Sequence, residues 1–195
     1  MKIDLAKPLT DKTNAEARQN VVGRYSVTKL LDITTGKMTP EDYIKGETFD
    51  FVNCFRMREG TIKHNSVEEI LEYLGYKTEV KKEMDCGEFV IVGVADILTD
   101  NSVGEIKTRN ENINKTNRWN EFQCKFYCTL FDRPKCILFQ PRVSTKEKMY
   151  GGQEITGWWL EKFGEQKRND NWVKKQIELV AKFDKQLKKY VKKRT

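Results

Sequence analysis

Residues 93 to 107 constrain this chain more than any other stretch. Gly93-Val94-Ala95-Asp96 closes an apolar run, and Glu105-Ile106-Lys107 follows after eight further residues. Thr99-Asp100-Asn101-Ser102 lies between them, a quartet of turn-forming types. Side chains two apart on a strand point to one face, so Glu105 and Lys107 share a face. A hairpin that folds the second strand onto the first brings Asp96 beside them. Two carboxylates and an ammonium gathered there can hold a hard divalent cation through oxygen, with a positive charge at its edge.

The chain has 195 residues, enough for one α/β domain with a sizeable core and too few for two comfortable ones. No run of about 18 apolar residues occurs, so no membrane span is expected. The first residues, Met1-Lys2-Ile3-Asp4-Leu5-Ala6-Lys7-Pro8, lack the long apolar stretch of a signal peptide. Cys54, Cys86, Cys124, Cys128 and Cys136 are odd in number and irregularly spaced, with no Cys-x-x-Cys pair. One histidine cannot complete a Cys/His zinc site. These features are read as reduced, mostly buried thiols in a cytoplasmic protein. Residues 171–195 hold nine lysines and arginines against two acidic side chains, a formal +7, which equals the net charge of the whole chain. Such an end suits a polyanion, though a charged run is as often a solvated helix face.

The expected order is helices, three meandering strands, helix, strand, helix. Residues 1–24 are polar and weakly periodic, read as a partly ordered arm. Ser26 is expected to cap a short helix over 26–31. Thr39-Pro40-Glu41-Asp42 is a strong helix start, carried to about 57 by Tyr43, Phe49, Val52 and Phe55, with Gly60 loosening the chain. Ile62, Val67, Ile70, Leu71 and Leu74 continue a helical stripe to Gly75. Strands are expected over 76–84 (exposed or at an edge), 89–98 and 103–108. A loop over 109–117, a helix over 119–131 and a short buried strand over 136–139 follow. Tyr150-Gly151-Gly152 breaks the chain, and a basic amphipathic helix runs over about 172–191.

Glu-x-Lys alone says little, since Glu79-Val80-Lys81 and Glu165-Gln166-Lys167 repeat it. Only Glu105-Ile106-Lys107 follows an apolar strand with an acid near its end. His64 is the one histidine and shares a helical face with residues near 60, 67, 68 and 71. Its imidazole can ligate Mn²⁺ as well as softer metals. Gln123 and Tyr127, four apart, are neighbours on the helix after the hairpin, beside an ordinary packing stripe of Trp119, Phe126 and Leu130.

Taken in order, Gly60-Thr61-Ile62-Lys63-His64, Gly93-Val94-Ala95-Asp96, Glu105-Ile106-Lys107 and Gln123-Cys124-Lys125-Phe126-Tyr127 resemble the four motifs of RecB-like nucleases of the PD-(D/E)XK superfamily. Tyr25-Ser26-Val27-Thr28-Lys29-Leu30-Leu31 resembles the opening segment of phage and mitochondrial members, so the likeness covers about residues 25–140. The resemblance implies a restriction-endonuclease-like core, a mixed central sheet flanked by helices, with N-terminal helices and the basic C-terminal helix added. It implies a metal-dependent deoxyribonuclease, an exonuclease acting on DNA ends or single strands in replication, recombination or repair, with other proteins of those processes as partners. His64, Asp96, Glu105 and the Ile106 carbonyl would hold Mg²⁺ or Mn²⁺, with Asp96 and Glu105 able to bridge to a second ion. Lys107 would orient or deprotonate water or stabilise charge, Gln123 would position it, and Tyr127 would brace the helix. Glu79 is an outer carboxylate candidate. Arg109, Lys115, Arg118 and Trp119 would form a phosphate-and-stacking track, and Lys188 and Lys189 would add DNA contacts. Several relatives bind an iron–sulfur cluster through one early and three late cysteines; with no cysteine before Cys54 or after Cys136, no cluster is expected. High Lys and Asn usage and small size suit a phage or viral protein. Two other readings stay open: an RNA endonuclease of the cap-snatching type, and a non-catalytic DNA-binding module on the same fold.

Overall fold

A computed structural model describes residues 4–16, 20–108, 116–147 and 153–194. Arg109, Lys115 and the expected break at Tyr150-Gly151-Gly152 lie outside them. Contacts gather into two compact units: Met1–Ile62, Lys81–Gly93 and Asp170–Thr195 form one, Lys63–Val80 and Val94–Asn169 the other.

The first unit contains α1 (Ala6–Glu16), β1 (Arg24–Ser26), α2 (Val27–Thr34), α3 (Pro40–Lys45), the start of α4 (Phe51–Tyr73) and α6 (Asp170–Lys192). Its centre is a ring cluster. Tyr25 meets Tyr43, Phe89 and Phe183 at centroid distances of 5.5, 5.7 and 6.1 Å. The Tyr25 hydroxyl donates to Asp184 Oδ1 at 2.7 Å, and Lys188 Nζ lies 2.6 Å from Asp184 Oδ2 and donates to the Glu88 carbonyl at 2.9 Å. A fully buried carboxylate is tolerable here because a phenol and an ammonium both serve it. Burial and the neighbouring Asp184 carboxylate push the Tyr25 phenol well above its ordinary value.

Local signals set the helix starts. Ser26 caps α2, its Oγ accepting from Thr28 N at 3.2 Å. Thr39 and Asp42 form a reciprocal capping box that holds the Asp42 carboxyl below the usual range. The helix expected from Thr39 to about 57 is in fact two. α3 stops at Gly46, whose φ of 74° leaves helical space. Asp50 then accepts from Asn53 N at 2.8 Å and starts α4, which runs straight through Gly60 for 23 residues. The expected N-terminal arm contains helix α1, tied down by a long-range pair rather than an apolar stripe: Asn14 Nδ2 donates to the Phe49 carbonyl and Asn14 Oδ1 accepts from Phe49 N.

The second unit contains the rest of α4, then β4 (Val103–Ile106), α5 (Arg118–Leu130), β5 (Lys135–Glu147) and β6 (Gln153–Lys167). β2 (Lys77–Asp85) and β3 (Val90–Leu98) run through both units. β1 pairs parallel with the start of β3, Tyr25 against Ile91. The end of β3 pairs antiparallel with β4, Ile97 against Gly104. β4 pairs parallel with β5, Glu105 against Leu138, which requires a crossover, and α5 is that crossover. The strand order is β1-β3-β4-β5-β6, with β2 on β3: a sheet that is mixed, as expected, and has six strands where four were expected. A Cβ at Gly104 would lie 2.9 Å from the Ile97 Cβ, so this strand approaches its neighbour too closely for any other residue.

Two strand expectations are corrected. The four-residue strand over 136–139 is thirteen residues long, and β6, absent from the sequence reading, forms a hairpin with it. Beyond Gln140 most positions are exposed, so burial imposes no alternation for a reader to find. Cys54, Cys124, Cys128 and Cys136 are buried free thiols, as expected, and Cys86 is half-buried. Among the described residues no helix is long and apolar enough to cross a membrane.

Tyr25→Phe removes the hydroxyl that serves Asp184 and keeps the ring packing. It should cost about 1–3 kcal/mol of unfolding free energy. Urea unfolding with an unchanged slope is the check.

Candidate active site

His64, Glu68, Glu79, Asp96, Glu105, Lys107, Trp119, Gln123 and Tyr127 all belong to the second unit. α4 supplies His64 and Glu68, one turn apart on one face. Its next face, Val67 and Leu71, packs with Ile97 and Ile106 in a buried apolar cluster, which fixes the helix against the hairpin strands. The β3–β4 register pairs Ile97 with Gly104, and Asp96 and Glu105 are the next residue along on each strand. Asp96 Oδ2 accepts from the Ile106 backbone N–H at 2.6 Å, so one carboxylate is clamped by the strand that carries the other.

Glu105 is 2 % exposed. Its Oε2 accepts from Lys107 Nζ at 2.8 Å and from Gln123 Nε2 at 2.9 Å. Gln123 Oε1 in turn accepts from Lys107 Nζ at 2.9 Å, and its Nε2 lies 3.2 Å from the Tyr127 hydroxyl. Helix α5 thus offers both ends of one amide to a carboxylate on β4 and an ammonium just past its end. Lys107 Nζ also sits 5.1 Å from the centre of the half-buried Trp119 ring, near enough for a cation–π contact. Glu105 Oε1 is buried and has no hydrogen-bond partner.

On the other side of Asp96 the charges crowd. His64 Nε2 lies 2.9 Å from Glu68 Oε1 and 3.6 Å from Asp96 Oδ1. Ligand atoms of His64, Glu68, Glu79 and Asp96 all fall within 4.8 Å of one another. Glu79 arrives there on a backbone with φ of 48°, one of two positive values at described residues other than glycine. For a strand residue this is a conformation that costs energy and re-aims the side chain.

Acidity follows from burial and crowding. Burial, then the Glu79 carboxylate, pushes Glu68 up to about 8. Burial pushes Asp96 up to about 6 against the pull of the Ile106 N–H, and Glu105 up to about 8 against the pull of Lys107. Burial also lowers His64. Burial lowers Lys107 too, but Glu105 and Asp96 outweigh it and the ammonium is held above its ordinary value. Burial and Glu105 raise the Tyr127 phenol.

The residues present fit a divalent cation. An imidazole and three carboxylates converge, and the bare Glu105 oxygen is a buried acceptor with no hydrogen-bond donor to meet it. These are hard donors of the kind Mg²⁺ and Mn²⁺ take. His64, Asp96, Glu105, Lys107, Gln123 and Tyr127 lie together, joined by the contacts above. Glu79, an outer candidate, stands inside the group. Glu68 was missed, although its four-residue spacing from His64 was the available signal. Arg118 opens α5 and is exposed. In the first unit Lys189 is exposed, whereas Lys188 is engaged by Asp184 and the Glu88 carbonyl.

This mixed sheet, with its crossover helix and the other helices about it, is the α/β core expected from the sequence. No protein-family model and no curated protein matches the chain. Solved structures do. That of SSO0001 is 18 % identical with a TM-score of 0.58, covering 94 % of this chain and 87 % of its own. The alkaline exonuclease LHK-Exo from Laribacter hongkongensis is 15 % identical with a TM-score of 0.57, covering 95 % and 97 %. It has also been solved in complex with dAMP. A phage-related exonuclease from Haemophilus somnus 129PT is 15 % identical with a TM-score of 0.55, covering 88 % and 96 %. At these identities the likeness is one of fold.

Glu68→Gln should stabilise the metal-free protein at alkaline pH. Glu68 binds its proton more tightly folded than unfolded, so stability falls as pH rises from the unfolded carboxyl value through about 8. In EDTA the variant should melt above wild type at pH 8.5, and the gap should narrow toward pH 5. Melting curves at the two pH values read it.

Proposed function

We propose that this chain is a divalent-metal-dependent nuclease that hydrolyses phosphodiester bonds of DNA, working as an exonuclease on ends or single strands in replication, recombination or repair. The observation that carries the reading is the meeting of His64, Glu68, Glu79 and Asp96 beside a Glu105 whose second oxygen is buried and bare. The likeness of its fold to exonucleases, one of them solved with dAMP, supports it.

In this reading His64, Asp96, Glu105 and the Ile106 carbonyl hold Mg²⁺ or Mn²⁺, joined by Glu68 and Glu79. When bound, the ion supplies an acidified water and offsets charge on the scissile phosphate. The chain's own groups do the rest. Lys107 keeps its proton beside Glu105 and faces the charge that builds on the phosphate, so it acts as an electrostatic stabiliser. Gln123 holds Lys107 and Glu105 in mutual register through both ends of its amide, and Tyr127 fixes Gln123 in turn. Asp96 is aimed by the Ile106 N–H and need not reorganise when the cation enters. Arg118 and Trp119, with Arg109 and Lys115 outside the described residues, contact the strand being cut. Lys189 and its neighbours on α6 bind DNA.

The test is an assay on end-labelled linear single- and double-stranded DNA and on circular DNA. Linear DNA should be degraded to mononucleotides with Mg²⁺ or Mn²⁺, circular DNA should be spared, and EDTA should stop the reaction. Lys107→Met and Asp96→Asn should each lower the rate at least ~10²–10³-fold with the circular dichroism spectrum unchanged. A wild-type rate in Lys107→Met would remove the assignment.

A further inference from the structure

α6 divides into two faces of opposite chemistry. Val173, Val180, Phe183 and Leu187 are buried, and the helix packs on α2 and α3. Lys174, Lys175, Lys182, Lys185, Lys189, Lys192 and Lys193 are all exposed. At 100° per residue, Lys175, Lys182, Lys189 and Lys193 fall within a narrow arc, flanked by Lys185. From Lys175 to Lys193 the stripe runs about 27 Å at 1.5 Å per residue. Glu178 is the one carboxylate on that face; the other acid of the region, Asp184, is buried and taken by Tyr25 and Lys188.

We infer that this stripe is a sequence-independent docking edge for the phosphate backbone of duplex DNA. Three observations choose that occupant. A basic amphipathic helix that binds lipid must offer its apolar face, and here that face is spent on α2 and α3. A platform for single strands stacks bases on aromatic rings. The arc from Lys175 to Lys193 has no aromatic residue: Tyr190 turns off it and holds the Arg194 guanidinium 4.7 Å from its ring centre. What remains is a straight row of ammonium groups on a rigid rod. It matches a duplex, which is itself straight over the about eight base pairs that 27 Å covers. Lys188 lies off this stripe, paired with Asp184 and the Glu88 carbonyl.

The inference rests on the nuclease reading only for the identity of the polyanion. It is tested by binding alone, in EDTA, on the full chain. The probes are a 20-base-pair duplex, oligo(dT) of equal length, and vesicles of phosphatidylcholine with phosphatidylglycerol. Lys175→Gln, Lys182→Gln, Lys189→Gln and Lys193→Gln are combined. Four exposed lysines elsewhere, Lys12, Lys37, Lys45 and Lys146, are changed together as a control of equal charge. The slope of log affinity against log salt for duplex should lose about 3 to 4 in magnitude in the α6 variant and about one or less in the control. Lys182→Gln alone should lose about 0.9, which keeps the test decisive should the combined variant unfold. An unchanged slope overturns the inference. So does an equal loss in the control, an equal loss on oligo(dT), or vesicle binding by wild type that the variant lacks. Binding with the expected slope but no cleavage would instead sink the nuclease reading and leave this one standing.

Discussion

A carboxylate sealed in the interior with one oxygen unserved is the constraint around which this molecule is arranged. An ionised carboxyl group in such a place costs several kcal/mol unless its lone pairs are met. At Glu105 only half the need is met, by Lys107 and Gln123. Every neighbouring element bears on that deficit. β3 brings Asp96 onto the backbone of the strand that carries Glu105, α4 brings an imidazole and a second acid, and the parallel pairing of β4 with β5 obliges the chain to send α5 across, which delivers Gln123. The close approach of Gly104 to Ile97 keeps the two strands near enough for Asp96 to be gripped by the Ile106 N–H.

Asp184 makes the contrast plain. It too is fully buried; a phenol donates to one oxygen, and an ammonium stands 2.6 Å from the other as an ion pair without a hydrogen bond. The two buried acids differ in what stands beside the second oxygen: an ammonium at Asp184, and no hydrogen-bond donor at Glu105. The same division runs through the lysines of α6, where Lys188 completes a core and its neighbours project into water.

How much of this was legible depended on whether a signal was local. Ser26, Thr39 and Asp42 were readable because a cap is written within four residues. The apolar run into Asp96 and the α5 stripe were readable because burial forces a period. α1 was not, because Asn14 holds it through Phe49, thirty-five residues away. The split of the Thr39 helix turned on Gly46 and on a second cap at Asp50, and an apolar stripe that ran across both concealed them. β6 escaped because little of it is buried. At the site, His64, Asp96, Glu105, Lys107, Gln123 and Tyr127 were found through ordered motifs. Glu68 and Glu79 were not assigned as ligands, since acids are common on exposed helices and strands and only the fold shows where these two point.

Glu79 carries a consequence for how this sequence can drift. Its backbone sits where glycine or asparagine would rest at ease, while its carboxylate reaches into the crowded group around His64. Glycine would relax the main chain and erase the acid. Asparagine would ease the turn and surrender the charge. Aspartate would keep the charge but fall a methylene short. The position is pulled one way by the chain and the other by the cluster, so sturdier descendants of this protein would be tempted to give up its reach first.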